Sequence, residues 1–173
     1  MYFLIFIFIG FLISPPTALA QTPVTKVDEK SELPPLEWLD FGEALNAAEV
    51  SGRPVLVDVF APWCPWCSKL QTEVYGKASV RENLNEHFET ARLNIEDKDL
   101  VIEFKGFELS SSELAAGLGA EGTPTVVFLS STGDYITRVP GFIDAEEFNH
   151  VLRYISSGSY QRESFKDYRL RNP

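Results

Sequence analysis

The chain has 173 residues, 45% hydrophobic and 13% aromatic, a composition that suits one folded domain with a core and excludes a disordered polypeptide. Its formal net charge is −10. An acidic surface repels a polyanion, so no nucleic-acid partner is expected.

The first twenty residues, "MYFLIFIFIGFLISPPTALA", carry no charged side chain, and Pro15 and Pro16 break the apolar run before Ala18-Leu19-Ala20. This pattern predicts a secretory signal peptide over residues 1–20, cleaved after Ala20. It lacks a basic n-region, which leaves an uncleaved anchor as the alternative. Thirteen helical residues, however, span only roughly 20 Å, against a hydrocarbon core of ~30 Å. Either outcome puts the rest of the chain in the periplasm or another extracytoplasmic space. Residues 21–35, "QTPVTKVDEKSELPP", are polar and proline-dotted and read as a linker.

From residue 36 the elements follow in order. In "DFGEALNAAEVSG", Asp40 stands as N-cap with Glu43 three residues on, Phe41, Ala44, Leu45 and Ala48 give the helical stripe, and Gly52 closes it. "PVLVDVF" (54–60) is a continuous run with the character of a central strand. "CPWCSKLQTEVY" places Cys67, Leu70 and Val74 on one helical face. "SVRENLNEHF" predicts another helix, opened by a Ser79–Glu82 capping box, with Val80, Leu84 and Phe88 inward.

"TARLNI" (90–95) reads as a strand, "VIEFKGFEL" (101–109) as a small hairpin turning at Lys105-Gly106, and "SSSELAAGLG" as a short helix with a Ser110–Glu113 box. "TPTVVFL", a turn at 131–134 and "YITRV" predict a second hairpin, and "DAEEFNHVLRYISSG" the closing helix. The expected domain is 36–157, with a polar and aromatic C-terminal tail at 158–173 that either docks or frays. Early strands joined by helices require parallel crossovers, and the late hairpin adds antiparallel strands. The expected fold class is therefore α/β, a mixed central sheet with helices on both faces.

The two cysteines, Cys64 and Cys67, have three readings. A disulfide closing so short a loop contributes about 2 kcal/mol, against about 3 for a fifteen-residue loop, a poor staple for a domain with this much apolar content. Zinc would want four ligands, and the two histidines, His87 and His150, fall singly on different predicted helices, where each reads as a surface or boundary residue. Cu(I) could accept two thiolates, so a copper chaperone remains an alternative. A reactive pair accounts for more of the context. Cys64 ends a strand and opens a helix, where free N–H groups favour its thiolate, and Cys67 is close enough to attack a mixed disulfide on Cys64. Pro65 suits the first helical turn. Trp63 and Trp66 supply an apolar rim on which a polypeptide could lie, although part of Trp63 could equally serve core packing.

Asp58 shares a strand face with Leu56 and Phe60, so it points into the interior. A buried carboxylate has a raised pKa and can exchange protons with Cys67 near neutral pH, unless Asp58 sits at an exposed edge.

At these residues the chain resembles thioredoxins. "VLVDVFAPWCPWC" is similar to their active-site strand, "ARLNI" to the next strand, with Arg92 where many carry a lysine near the aspartate, and "GTPTVVFL" to the loop with a cis-proline, here Pro124 after Thr123. "STGDYITRVPGF" resembles the last hairpin. The opening "LEWLDFGEALNAAEVSGRPVLV" and the insertion before Gly122 look more like exported branches, namely periplasmic thioredoxins of the SoxW type and the C-terminal thioredoxin domain of DsbD.

The resemblance implies a thioredoxin fold and an exported thiol–disulfide oxidoreductase acting through Cys64-Pro65-Trp66-Cys67. Asp58 would manage the Cys67 proton, with Arg92 supporting it. Trp63, Pro65, Trp66, Thr123 and Pro124 would contact substrate. It also implies no cofactor and no metal, and partner proteins with disulfides or thiols. A reductant outside the cytoplasm would draw its electrons from a membrane electron donor, since a periplasm holds no reducing buffer, and a monomer is expected. A disulfide-donating oxidant or isomerase with the same site stays open as to direction. Two residues depart from the family. Pro-Trp stands where thioredoxins have Gly-Pro, and Thr72 where they usually have a kinking proline, which predicts a straighter active-site helix.

Overall fold

The computed structural model describes residues 34–173; the expected signal peptide and nearly all of the expected linker lie outside the described residues. The elements are α1 (Phe41–Ser51), β1 (Val55–Phe60), α2 (Pro65–Leu70), a π turn (Gln71–Tyr75), α3 (Ala78–His87), β2 (Glu89–Asn94), β3 (Val101–Phe104) and β4 (Phe107–Ser110). They continue with α4 (Ser111–Gly117), β5 (Thr125–Leu129), β6 (Tyr135–Pro140), α5 (Ala145–Ser156), a 3-10 turn (Ser159–Gln161) and α6 (Phe165–Arg171).

The main sheet has the order β2-β1-β5-β6, with β1 parallel to β2 and antiparallel to β5, and β6 antiparallel to β5. This is the mixed sheet expected, and the thioredoxin fold. Among the described residues β3 and β4 pair only with each other, through a turn in which Lys105 and Gly106 both take positive φ. β1 is buried along nearly its whole length, as a central strand covered on both faces must be. Its alternating side chains feed two cores. Val55, Val57 and Val59 pack with Phe41, Ala44, Leu114 and Val127 on the α1 and α4 side. Leu56 packs with Leu70, Tyr75, Leu84, Phe128 and Phe148 on the opposite side.

Local signals held in some places and yielded in others. Gly52 closes α1 at φ 73°, its N–H bonded to Ala48 O at 2.8 Å, and Ser110 and Glu113 form the expected capping box. Asp40 has the extended backbone of an N-cap, but its side chain makes no cap hydrogen bond. The expected box at Ser79 and Glu82 is absent because α3 starts earlier, with Lys77 as N-cap. Ser79 Oγ instead accepts from Asn149 Nδ2 of α5 at 3.0 Å, so a tertiary partner claims the hydroxyl. Phe88 ends α3 as its C-cap while still burying its ring.

The active-site helix, expected to be straighter for want of a proline, changes character part-way along. After Leu70 the chain widens into the π turn, and Thr72 Oγ1 donates back to Ser68 O at 3.1 Å and Lys69 O at 3.3 Å. Side-chain bonding to earlier carbonyls perturbs the regular ladder without any proline. His150, expected at a surface or boundary, is buried on α5.

The segment after α5 docks. Tyr168 of α6 is buried, Phe165 and Tyr168 each lie 5.3 Å from the Tyr154 ring, and Arg169 pairs with Glu147 at 3.2 Å. At the other end of the domain, Leu39 bridges Ala91 in parallel, giving β2 a short partner on its outer edge.

Candidate active site

β1 delivers the chain to a tight turn in which Cys64 N–H bonds Ala61 O at 3.1 Å. Cys64 is then the N-cap of α2, with extended backbone, and Pro65 takes the first helical position, where an N–H would have no partner. Cys64 and Cys67 form a disulfide, with Cα atoms 5.3 Å apart. The Cys67 N–H points at Cys64 Sγ at 3.1 Å. The same N–H would stabilise a Cys64 thiolate after reduction, because a backbone donor at a helix start favours the charged form.

The sulfurs are recessed and their neighbours are not. Cys64 is 3% and Cys67 5% exposed, whereas Trp63 is 67% and Trp66 55% exposed. The two tryptophans thus leave large apolar surface in water beside the disulfide. Neither tryptophan belongs to the core, so the packing alternative for Trp63 is set aside. Trp66 meets a residue sequence reading did not single out, Phe142, at 5.7 Å between ring centres. Lys69 Nζ sits 5.0 Å from the Trp66 ring and 4.7 Å from that of Phe142.

Thr123 and Pro124 are joined by a cis peptide bond. The next residue, Thr125, pairs with Val59 on β1, so the loop emerges at the end of the sheet where β1 runs toward the cysteines. Gly141 N–H bonds Pro124 O at 2.8 Å, and Phe142 follows directly, so one short stretch links the proline loop to Trp66.

Asp58, two positions before the end of β1 at Phe60, is 2% exposed. It pairs across the ladder with Arg92, and partners in register on parallel strands share a sheet face. Arg92 Nε donates to Oδ2 at 3.0 Å, and the hydroxyl of Tyr75 donates to Oδ1 at 3.3 Å. Burial pushes the Asp58 pKa up; the Arg92 charge and hydrogen bond, then the Tyr75 hydrogen bond, oppose this without cancelling it. Burial, and then the nearby Asp58 charge, push the Tyr75 phenol well above its usual value. The Arg92 guanidinium lies 4.0 Å from the Phe60 ring and 5.3 Å from that of Trp38. Tyr75 and Trp38 are the other two residues missed. Tyr75 closes the segment "CPWCSKLQTEVY", one position past Val74 in the Cys67, Leu70 and Val74 stripe, and was not singled out there. Trp38 stands outside any periodic segment and gave no signal.

Comparison with known proteins decides the family: a thioredoxin-like domain model matches residues 41–156. This chain belongs to the thioredoxin-like domain family. It carries that family's CxxC-type pair in Cys64 and Cys67. Its relatives include the thiol:disulfide interchange protein DsbD of Pectobacterium atrosepticum, 27% identical over 150 residues. That alignment covers 82% of this chain and 22% of that one, so the chain spans about a fifth of the length of this curated relative. Among solved structures, a thioredoxin from Thermus thermophilus is 29% identical, with a TM-score of 0.57 over 70% of this chain and 88% of that one. A thioredoxin-fold protein from Helicobacter pylori is 25% identical, with a TM-score of 0.58 over 68% of this chain and 83% of that one. This thioredoxin-like chain is therefore similar both to a thioredoxin over most of that chain's length and to part of a much longer interchange protein.

Proposed function

We propose that this chain reduces disulfides in partner proteins outside the cytoplasm. The carrying observation is the Cys64–Cys67 disulfide at the start of α2, with the Cys67 N–H on Cys64 Sγ. In the reduced protein the Cys64 thiolate attacks a substrate disulfide and forms a mixed disulfide. Asp58 accepts the proton of Cys67, whose thiolate then displaces the substrate thiol and closes the Cys64–Cys67 bond. Trp63, Pro65 and Trp66 form the surface met by the substrate, and the Thr123–Pro124 loop offers backbone hydrogen bonds to its extended segment. Arg92 keeps Asp58 able to ionise.

What supports reduction over donation is the likeness to thioredoxin, together with a buried carboxylate suited to releasing a proton from Cys67. Extracytoplasmic placement is supported by the apolar leader ending in Ala18-Leu19-Ala20 and by the likeness to DsbD. A reductant working there needs electrons from a membrane carrier, because a bacterial periplasm is kept oxidising. The deciding experiment is the reduction potential of the pair, by equilibration with dithiothreitol or glutathione. A value near about −270 mV supports a reductant, and one toward about −120 mV reverses the direction.

A further inference from the structure

The two oxygens of Asp58 have partners of different kinds. Oδ2 faces Arg92 Nε at 3.0 Å, and Oδ1 faces the Tyr75 hydroxyl at 3.3 Å. A guanidinium only donates, so it can serve Oδ2 only as an acceptor. When Asp58 takes up a proton, that proton belongs on Oδ1, opposite Tyr75. A phenol both donates and accepts. Tyr75 can donate to the carboxylate and, after rotation of its O–H, accept from the neutral acid. Of the two partners, it alone can follow both protonation states.

The surroundings hold Tyr75 in place for this. Its side chain is buried, with Trp38 edge-on at 5.1 Å and Phe148 at 5.8 Å. Trp38 also lies against Arg92, and its segment is fixed to β2 by Leu39 N–H to Thr90 O at 2.9 Å, Arg92 N–H to Leu39 O at 3.3 Å, and Thr90 Oγ1 to Glu37 O at 2.6 Å. Among the described residues, the charged and titratable groups bonded to Asp58 are Arg92 from β2 and Tyr75 from the π turn. Its ladder neighbour on β5, Val126, and the α5 residue against Tyr75, Phe148, are apolar.

We propose that Tyr75 is a positioning residue for the Asp58 proton: it holds Oδ1 while Asp58 is ionised, receives the Oδ1 proton while Asp58 is neutral, and so governs proton exchange with Cys67. This rests on the thiol–disulfide reading above. In the resolving step the Cys67 proton is taken up by Asp58, as proposed above, and comes to rest on Oδ1, while the Cys67 thiolate attacks Cys64 Sγ of the mixed disulfide. The bond between Cys64 and substrate breaks with its electron pair on the substrate sulfur, and the Cys64–Cys67 bond forms. The substrate thiolate takes the proton from Asp58, which returns to carboxylate. One substrate disulfide is reduced and one dithiol is oxidised.

The test is Tyr75→Phe in the full chain, which keeps the ring and removes only the hydroxyl. The Asp58 carboxyl carbon is titrated by 13C NMR in the reduced protein, its signal assigned by loss in Asp58→Asn, alongside the pH profile of insulin disulfide reduction. Loss of a donor to the ionised form is expected to move the Asp58 midpoint, and the matching inflection in rate, up by about one pH unit. A purely structural role would lower the rate at every pH and leave the midpoint where it was, and that result overturns the proposal. Should Tyr75→Phe fail to fold, 3-fluorotyrosine at position 75 supplies a more acidic phenol of nearly the same shape. The midpoint is then expected to fall, and an unmoved midpoint again overturns the proposal. An inflection that vanishes in Asp58→Asn but ignores both Tyr75 changes sinks the Tyr75 role alone. An inflection that survives Asp58→Asn sinks the underlying reading of Asp58 as well.

Discussion

Trp66 and Phe142 meet 5.7 Å apart between ring centres, one from the active-site helix and the other from the stretch after β6. Their contact joins two pieces of chain far apart in sequence into one apolar surface beside the disulfide, with Lys69 lying over both rings. A pair of this kind contributes about 0.5–1.5 kcal/mol beyond area burial. If substrate lies on this surface, Phe142→Ala is expected to raise the KM for a peptide disulfide with little change in kcat. Steady-state kinetics on a model peptide checks this. An unchanged KM with a reduced kcat would move Phe142 out of the substrate surface.

The two sulfurs are expected to behave unequally once reduced, because Cys64 has the Cys67 N–H directed at it. Its thiol pKa should fall clearly below the usual ~8.5. Cys67→Ser should then accumulate a mixed disulfide with substrate, visible by mass spectrometry, while Cys64→Ser should neither turn over nor trap. Ultraviolet titration of the thiolate in Cys67→Ser giving 8.5 or higher would count against activation of Cys64.

Asp58 makes stability depend on pH with a defined sign. Its pKa in the folded protein is raised above the unfolded value near 3.9, chiefly by burial, so the native state binds the proton more tightly than the unfolded chain. Stability should fall as pH rises from about 3.9 through the raised folded value, then level off. Asp58→Asn lacks this dependence and should gain on the wild type across that window. Thermal melts at stepped pH read the effect, and parallel profiles for the two proteins would refute it.

His150 works in the opposite sense. Burial, then the positive charges of Arg169 on α6 and Arg153 on its own helix, lower its pKa, and only Glu147 and Glu146 oppose them. The neutral imidazole contributes stability fully above the unfolded value of about 6.5, and that contribution is lost as pH falls through the lower folded value. His150→Gln should flatten the melting profile between about pH 5 and 7. An unchanged slope would show that the ring hydrates freely on protonation.

Docking of α6 should contribute measurably to the domain. Tyr168 is buried against Tyr154, whose hydroxyl donates to Glu163 O at 2.6 Å. Tyr168→Ala is expected to cost about 2 kcal/mol of stability, from the transfer value for a large buried side chain. Chemical denaturation checks the figure, and a loss under about 0.5 kcal/mol, the range of ordinary surface changes, would mean that α6 is held weakly.

Up to residue 157 the sequence by itself determined the order of the elements, the class of sheet and the CxxC pair, while the 3-10 turn and α6 beyond it were not read. Each rests on a local regularity: a β-branched run at 55–60, helical stripes with Gly52 and Ser110 at their ends, and two cysteines three positions apart across a strand-to-helix junction. Asp58 was also legible, because one carboxylate in an apolar run has only the interior to face on its side of the strand. Tertiary structure decided what surrounds that site. Tyr75 reaches Asp58, Trp38 closes over Arg92, and Phe142 meets Trp66 through contacts between residues separated by 17, 54 and 76 positions. Ser79 shows the same limit from the other side, since its capping pattern was sound locally and Asn149 outbid it. Propensity and periodicity act over one or two turns of chain, whereas these partners are chosen by how helices and strands pack against a common sheet.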